Sequence, residues 1–489
     1  MIKNFKWLFL VSLTFIACTS SDDETVVVDV PVTAGSADFS KYVSLGNSLT
    51  AGFSDGALFK TGQQGSYTSI LAQQFALVGG GEFRVPLMND DIGGFSVTTF
   101  PFPGFGPRLY FTGSSANPAA LVTGPSTTDV TVSIASGGPY NNMGVPGAKS
   151  FHLLAPGYGS LAGIGLGTAN PYFVRFASSP STSVLADAMA QSPTFFSLWI
   201  GNNDVLGYAT SGGDGSNPIT PSAGPPGIGF DATFTTLVQT LVSGGAKGVI
   251  ANIPYVNSIP FFTTVGFNPI PELTQAQVDQ LNAGYGQYNV GVAAAKSLGL
   301  ITEEERVQRT IVFEKGKKRP VVMVDEYLTD ITAVSPALIK MRLTTKADFI
   351  VLSSQGTPAS AHIGAGNGTA APLQDRWVLS KNEVAELKTA TDAYNVTIKA
   401  LAESNNLAFV NANAVLSQVA NGGIRFGNYH LSSSYATGGA FSMDGVHPCP
   451  RGYALIANKF MEAINAKYGS TFKPVDLGKY KVQYPKVIN

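Results

Sequence analysis

The chain has 489 residues, with 31 Lys+Arg against 32 Asp+Glu and a formal charge of −1. No basic field draws it to nucleic acid, and there is no acidic tail. Hydrophobic residues make up 44% and charged residues 13%, with 54 Gly and 29 Pro, which suits a loop-rich protein with a substantial core and fits neither a coiled coil, a collagen nor a polytopic membrane protein.

At the N-terminus, Lys3 and Lys6 lead into the apolar run Trp7 to Ala17, followed by Cys18. A basic segment, a short apolar stretch and a small residue before the cut read as a signal peptide over 1–17, too short to stay as a membrane span. Ala17-Cys18 resembles a bacterial lipoprotein processing site, with Phe15 where Leu is usual, and Ser21-Asp22-Asp23-Glu24 resembles the acidic export signal of surface lipoproteins. The resemblance implies a lipid on Cys18 and an outer-membrane anchor with the body exposed at the cell surface. A plain secretory signal with an incidental cysteine is the alternative. Cys18 and Cys449 are the two cysteines, which excludes a disulfide scaffold and a cysteine zinc cluster and leaves Cys449 unpaired. Residues 18–40 are small, acidic and β-branched and read as a tether, so the folded body is expected over 41–489.

Tyr42-Val43-Ser44-Leu45 is a short apolar strand ending in the turn signal Gly46-Asn47. Tyr67, Ile70, Leu71, Gln74 and Phe75 share one helical face. Phe195 to Ile200 reads as a buried strand, and Phe234, Leu237, Val238, Leu241 and Val242 as a helix leading to the strand Gly248 to Ile253. A last helical stripe runs through Tyr453, Ile456, Ala457, Phe460, Met461 and Ile464. Strands alternating with helices predict a parallel α/β sheet. Long Gly/Pro/Ser/Thr-rich stretches interrupt it at 89–140, 207–230, 255–271, 350–376 and 421–441, of the length that usually serves as lids or binding surfaces, and insertions are placed at about 89–140, 207–230 and 255–380. One pattern occurs twice, as Leu273-Thr274, Val278, Leu281, Tyr288 and as Leu379-Ser380, Val384, Leu387, Tyr394. It is expected to mark two helices with the same N-terminal logic rather than a repeat architecture.

The four histidines, His152, His362, His430 and His447, show no metal-binding spacing, and His152, His362 and His430 are expected to be structural or exposed rather than ligands. His447 follows Asp444 by three residues, and a carboxylate there can fix the imidazole tautomer. Gly46-Asn47-Ser48-Leu49 closes the first strand, where a serine presents its Oγ at the carboxyl edge of a parallel sheet or, as the competing role, caps the next helix. Gly201-Asn202-Asn203-Asp204 follows the strand from Phe195, and Asn142 to Gly147 forms a Gly-rich turn before possible helix residues. Acyl transfer needs a nucleophile, a base with an orienting carboxylate, and donors aimed at the developing oxyanion. These four pieces supply them in order.

In these four blocks the chain resembles the SGNH (GDSL-type) hydrolases. The resemblance covers residues 42–466, interrupted by the insertions, and implies a three-layer α/β/α, flavodoxin-like fold that hydrolyses acyl esters without a cofactor or metal. Ser48 would be the nucleophile, His447 the base and Asp444 its partner. The Ser48 and Gly147 amides and the Asn203 side chain would form the oxyanion hole. The substrate class spans lipid esters, short-chain esters and O-acylated glycans. Two other outcomes of the same resemblance are a non-catalytic surface binding protein on this scaffold and an acyltransferase using the same triad. Asn47 departs from the family pattern, which has Asp there, and predicts an altered pH dependence rather than inactivity. Gly52-Phe53-Ser54-Asp55-Gly56 matches the G-x-S-x-G nucleophile elbow of another hydrolase fold, but the strand ends at Ser48, so Ser48 is preferred over Ser54. Phe95, Phe100, Phe102 and Phe105 offer an acyl-pocket lining or a loop packed onto the body, and the second is expected.

Overall fold

Phe195, Ser197 and Trp199 turn one way from their strand and Phe196 and Leu198 the other, and every one of them is buried. A strand buried on both faces needs helices on both faces. The computed structural model describes residues 31–98, 100, 104–113, 119–316, 319–355 and 362–488, and supplies those helices around a five-stranded parallel sheet. Its strands are β1 (Tyr42–Gly46), β2 (Asn142–Gly144), β3 (Phe195–Trp199), β4 (Lys247–Ala251) and β5 (Ala408–Val410).

The spatial order is β2-β1-β3-β4-β5, all parallel. The connections run outward in opposite directions from β1 and β3, so a crevice opens at the carboxyl ends of those two strands. On one face lie α2 (Tyr67–Ala76) and α8 (Pro450–Tyr468). There Phe195 packs tilted or edge-on against Phe39, Phe75 and Tyr468, and Trp199 meets Tyr67 and Phe460. α4 (Phe230–Val242) and α6 (Lys381–Ser404) pack together through Phe230 and Tyr394, whose rings stack at 4.0 Å. The Asn395 side chain on α6 ties itself to the backbone of Ile253 just past β4. The arrangement is compatible with three α/β/α layers.

Three of the five strands and helices α2, α4 and α8 fall where the apolar periods predict them. Asn142–Gly144, read from sequence as a turn, is an edge strand paired with β1. It is three residues long and ends in glycine, so it carries no alternation of its own. The tether also ends earlier than expected. Thr33 already bonds Thr471, the Ser36 amide bonds the Tyr468 carbonyl, and Phe39 is buried in the core. The folded body therefore starts near Val32 rather than residue 41. The signal peptide, Cys18 and the first part of the tether lie outside the described residues. Among the described residues no helix is long and apolar enough to cross a membrane.

The insertion over 255–380 is not loop alone. It contains α5 (Gln275–Ser297), short strand pairs and a hydrophobic cluster of its own around Val292, Ile311, Phe313 and Val322. Both α5 and α6 open with capping boxes, Thr274 with Gln277 and Ser380 with Glu383. That shared start is what the twice-occurring pattern records.

Candidate active site

Ser48 is the first residue of the short helix α1 (Ser48–Ala51), immediately past β1. The capping role falls to Asn47. Its Oδ1 accepts the Leu49 amide at 3.0 Å, and its Nδ2 donates to Asn202 Oδ1 at 3.4 Å. This leaves the Ser48 hydroxyl free to turn elsewhere, and its Oγ lies 2.8 Å from His447 Nε2. Asn at position 47 uses both ends of its amide, and an Asp there would keep the cap but lose the donor to Asn202.

His447 Nδ1 lies 2.8 Å from Asp444 Oδ2. Asp444 also accepts the amides of Gly56, Val446 and His447 and the Ser442 hydroxyl. Burial pushes its carboxyl up, but the His447 charge and these donors outweigh it and hold the pKa below the usual carboxylate value. An ionised Asp444 only accepts, so Nδ1 carries the proton and Nε2 is left to accept from the Ser48 hydroxyl. The chain of hydrogen bonds Ser48–His447–Asp444 thus has one consistent set of donors.

Asn203 Nδ2 donates to Ala148 O at 2.9 Å, and Asp204, fully buried, accepts the amide and hydroxyl of Ser150 at 2.8 and 2.7 Å. The Gly201–Asp204 block therefore clasps the turn that carries Gly147 (φ +82°). One Asn203 amide hydrogen is spent on Ala148, and the second remains for a ligand. Asn203 lines the same pocket as Ser48 and His447, whereas Gly147 sits one residue from the clasped Ala148 and is not part of that wall.

This pocket has a volume of about 120 Å3 and an almost wholly apolar lining. Leu206 and Ile259 stand on one side, Val410, Val415 and Val419 follow β5 on another, and Leu455, Ile456 and Phe460 come from α8. Phe95, Phe100 and Phe105 are elsewhere, packed with Tyr172 and Leu58 in a separate cluster. They pack the loop, as expected, while Phe102 lies outside the described residues.

Ser54, the alternative nucleophile, is 1% exposed and spends its hydroxyl on Pro448 O at 3.1 Å. Its segment has a different role. The Gly56 amide reaches Asp444, the Asp55 amide reaches Ser442 Oγ, and Asp55 Oδ1 takes the Met443 amide. The residues of G-x-S-x-G form a strap that holds the Asp444–His447 loop against the end of α1. Sequence reasoning missed Asp55, Gly56 and Ser442 because these contacts join segments almost 390 residues apart. Phe53 adds a ring 4.6 Å from that of His447.

His152 packs within the fold and His430 is exposed. His152 Nδ1 accepts the Lys149 amide, and the ring stacks on Tyr158. Burial first, then Lys149, drops its pKa to about 4. His430 Nε2 lies 2.8 Å from the Gly422 carbonyl. Cys449 is free and buried, with its Sγ on the Gly439 carbonyl. Comparison of the chain with protein-family models, curated proteins and solved structures returns no match.

Proposed function

We propose that this chain is a serine ester hydrolase of the SGNH type, acting on esters of aliphatic acids. The observation that carries the reading is the continuous contact Ser48–His447–Asp444 at the mouth of an apolar pocket. His447 Nε2 takes the Ser48 proton as Oγ attacks the acyl carbon, and returns it to the leaving alcohol. Asp444, kept ionised by its five donors, stabilises the imidazolium formed in between. The free Asn203 amide hydrogen, with the Ser48 and Gly147 amides, receives the oxyanion. One such donor is typically worth about 2.7–4 kcal/mol in the transition state. Water then releases the acyl group from Ser48 by the same base.

The acyl chain lies along the mostly apolar wall from Val415 and Val419 to Leu455 and Phe460, which Lys459 also lines while its ammonium pairs with Glu462. Lipid anchoring through Cys18 at the outer membrane is part of the same reading and rests on the sequence alone. The test is fluorophosphonate labelling of the wild type beside Ser48→Ala and Ser54→Ala, followed by a p-nitrophenyl ester series of increasing chain length. Label lost only with Ser48 and turnover that rises with acyl length support the reading. A folded wild type that neither labels nor turns over any ester of the series refutes it.

A further inference from the structure

Away from this pocket, the inserted segment returns to α6, and three carboxylates meet there. Glu326 follows the short strand Val322–Val324, Asp375 opens the single turn Asp375–Trp377, and Glu383 stands in the first turn of α6. Each offers an oxygen within 4.8 Å of the others'. Two oxygens bound to one ion at about 2.4 Å can be no more than about 4.8 Å apart, so the three fit a single calcium coordination sphere.

A cluster of acids alone would mean little, but here Glu383 is buried and each of the half-buried Glu326 and Asp375 also has an oxygen shut off from water. Glu326 Oε2, Asp375 Oδ1 and Glu383 Oε1 are all shielded from solvent with no hydrogen-bond partner. Glu383 is 0% exposed, and its Oε2 accepts the Ser380 amide at 2.5 Å, so the capping box fixes the carboxylate and leaves Oε1 for the cluster. The loop backbone at Gly213 (φ +73°) closes over it so tightly that a Cβ there would fall 2.3 Å from Glu383 Oε1.

The neighbouring residue shows how this fold treats buried acids when a cation is at hand. Asp325 and Asp348 share the buried Arg342 guanidinium. Among the described residues no Lys, Arg or His pairs with Glu326, Asp375 or Glu383. Lys340 approaches only the Glu326 main-chain carbonyl, at 3.0 Å.

We propose that Glu326, Asp375 and Glu383 bind one divalent cation of calcium's class, which pins the inserted segment to the start of α6. All-oxygen, carboxylate-rich donors select a hard cation over zinc or copper, and three acids from three separate segments suit the loose geometry of calcium better than the rigid octahedron of magnesium. Without the ion the acids share protons. Burial drives Asp375 and Glu383 above the ordinary carboxylate range, helped next by the Glu326 charge at Asp375 and by a hydrogen bond with Glu326 at Glu383.

The full chain, stripped with EDTA and returned to chelator-free buffer, is titrated calorimetrically with calcium chloride and separately with magnesium chloride. Its melting temperature is followed in parallel. One calcium per chain, magnesium at least about tenfold weaker, and a melting temperature that climbs with calcium concentration are expected. Asp375→Asn and Glu383→Gln, which keeps an acceptor for the Ser380 amide, are each expected to lose calcium affinity by about tenfold or more. Absence of calcium heat and of any thermal shift in the stripped wild type overturns the proposal, whether or not the variants fold. Wild-type calcium affinity in both folded variants overturns it as well, since the ion then binds elsewhere.

Discussion

Asp444 and Glu383 are both carboxylates withdrawn from water beside backbone amides, yet their surroundings differ in kind. Asp444 is met by three amides, a hydroxyl and an imidazole, and stays ionised. Glu383 is met by one amide and two other acids, and is driven towards its protonated form. The first environment is complete within the polypeptide. The second has a deficit of positive charge that only solution can supply, as protons or as a metal ion. One cluster is thus balanced in charge by its own chain and the other is not.

Ser48→Ala strikes the self-sufficient cluster where its loss is largest. Ester turnover should fall by about 10⁴-fold or more, with the circular dichroism spectrum unchanged, while Ser54→Ala retains activity. Turnover in Ser48→Ala close to that of the wild type would separate this triad from the chemistry. Asn203→Ala should lower kcat by about 10²–10³-fold with little change in KM, because the amide is needed only when the oxyanion forms. A rise confined to KM would instead make Asn203 a ground-state binding group.

Chelation divides the two clusters. EDTA should lower the melting temperature and leave kcat unchanged at temperatures where the chain stays folded. Activity that disappears at once in a natively folded, stripped chain would place the metal in the reaction. The pH dependence of the stripped chain carries a sign. Asp375 and Glu383 hold protons in the folded state that they release when unfolded, so the unfolded state binds fewer protons. Their contribution to stability is therefore fully present below the ordinary carboxylate range and is lost as pH rises towards the elevated folded pKa values. The groups facing them set this window: Glu326, Asp325 and Asp214 raise it, while Arg342 is engaged by Asp325 and Asp348. Thermal melts at about pH 5 and about pH 8 should show the stripped chain weaker at the higher value, and calcium should remove most of the difference.

Asn47→Asp carries the smallest expected effect. The cap on Leu49 survives and the contact to Asn202 is lost. A negative charge on the wall shared with His447 should change the pH profile of kcat/KM more than its maximum. A pH profile measured on the variant, unchanged in both limbs, would show that position 47 does not sense the charge of His447.

The strands β1, β3 and β4 and helices α2, α4 and α8 could be read from the sequence because each carries its own apolar period, long enough to need no partner. β2 and β5, at three residues each, exist only because a neighbouring strand is there to pair with them. The site divides in the same way. Ser48, Asn203, Asp444 and His447 lie in short blocks at strand ends and loop turns, and the structure brings Ser48, Asp444 and His447 into contact. The strap from Asp55 and Gly56 could not be read, since a backbone amide has no signature in sequence. Glu326, Asp375 and Glu383 come from three unrelated segments with no fixed spacing, so only the packing of the insertion against α6 assembles them.

The contact between Ser48 and His447 spans 399 residues. At a synthesis rate of about 5–20 residues per second, the serine emerges roughly 20–80 s before the imidazole it contacts exists. The Gly56 strap imposes the same order, because Asp444 belongs to the same late segment. A chain that is interrupted, nicked and released, or caught partly made holds an ordinary hydroxyl at position 48. On the proposed reading, the triad forms only once the late segment carrying Asp444 and His447 has been made and has docked on Ser48.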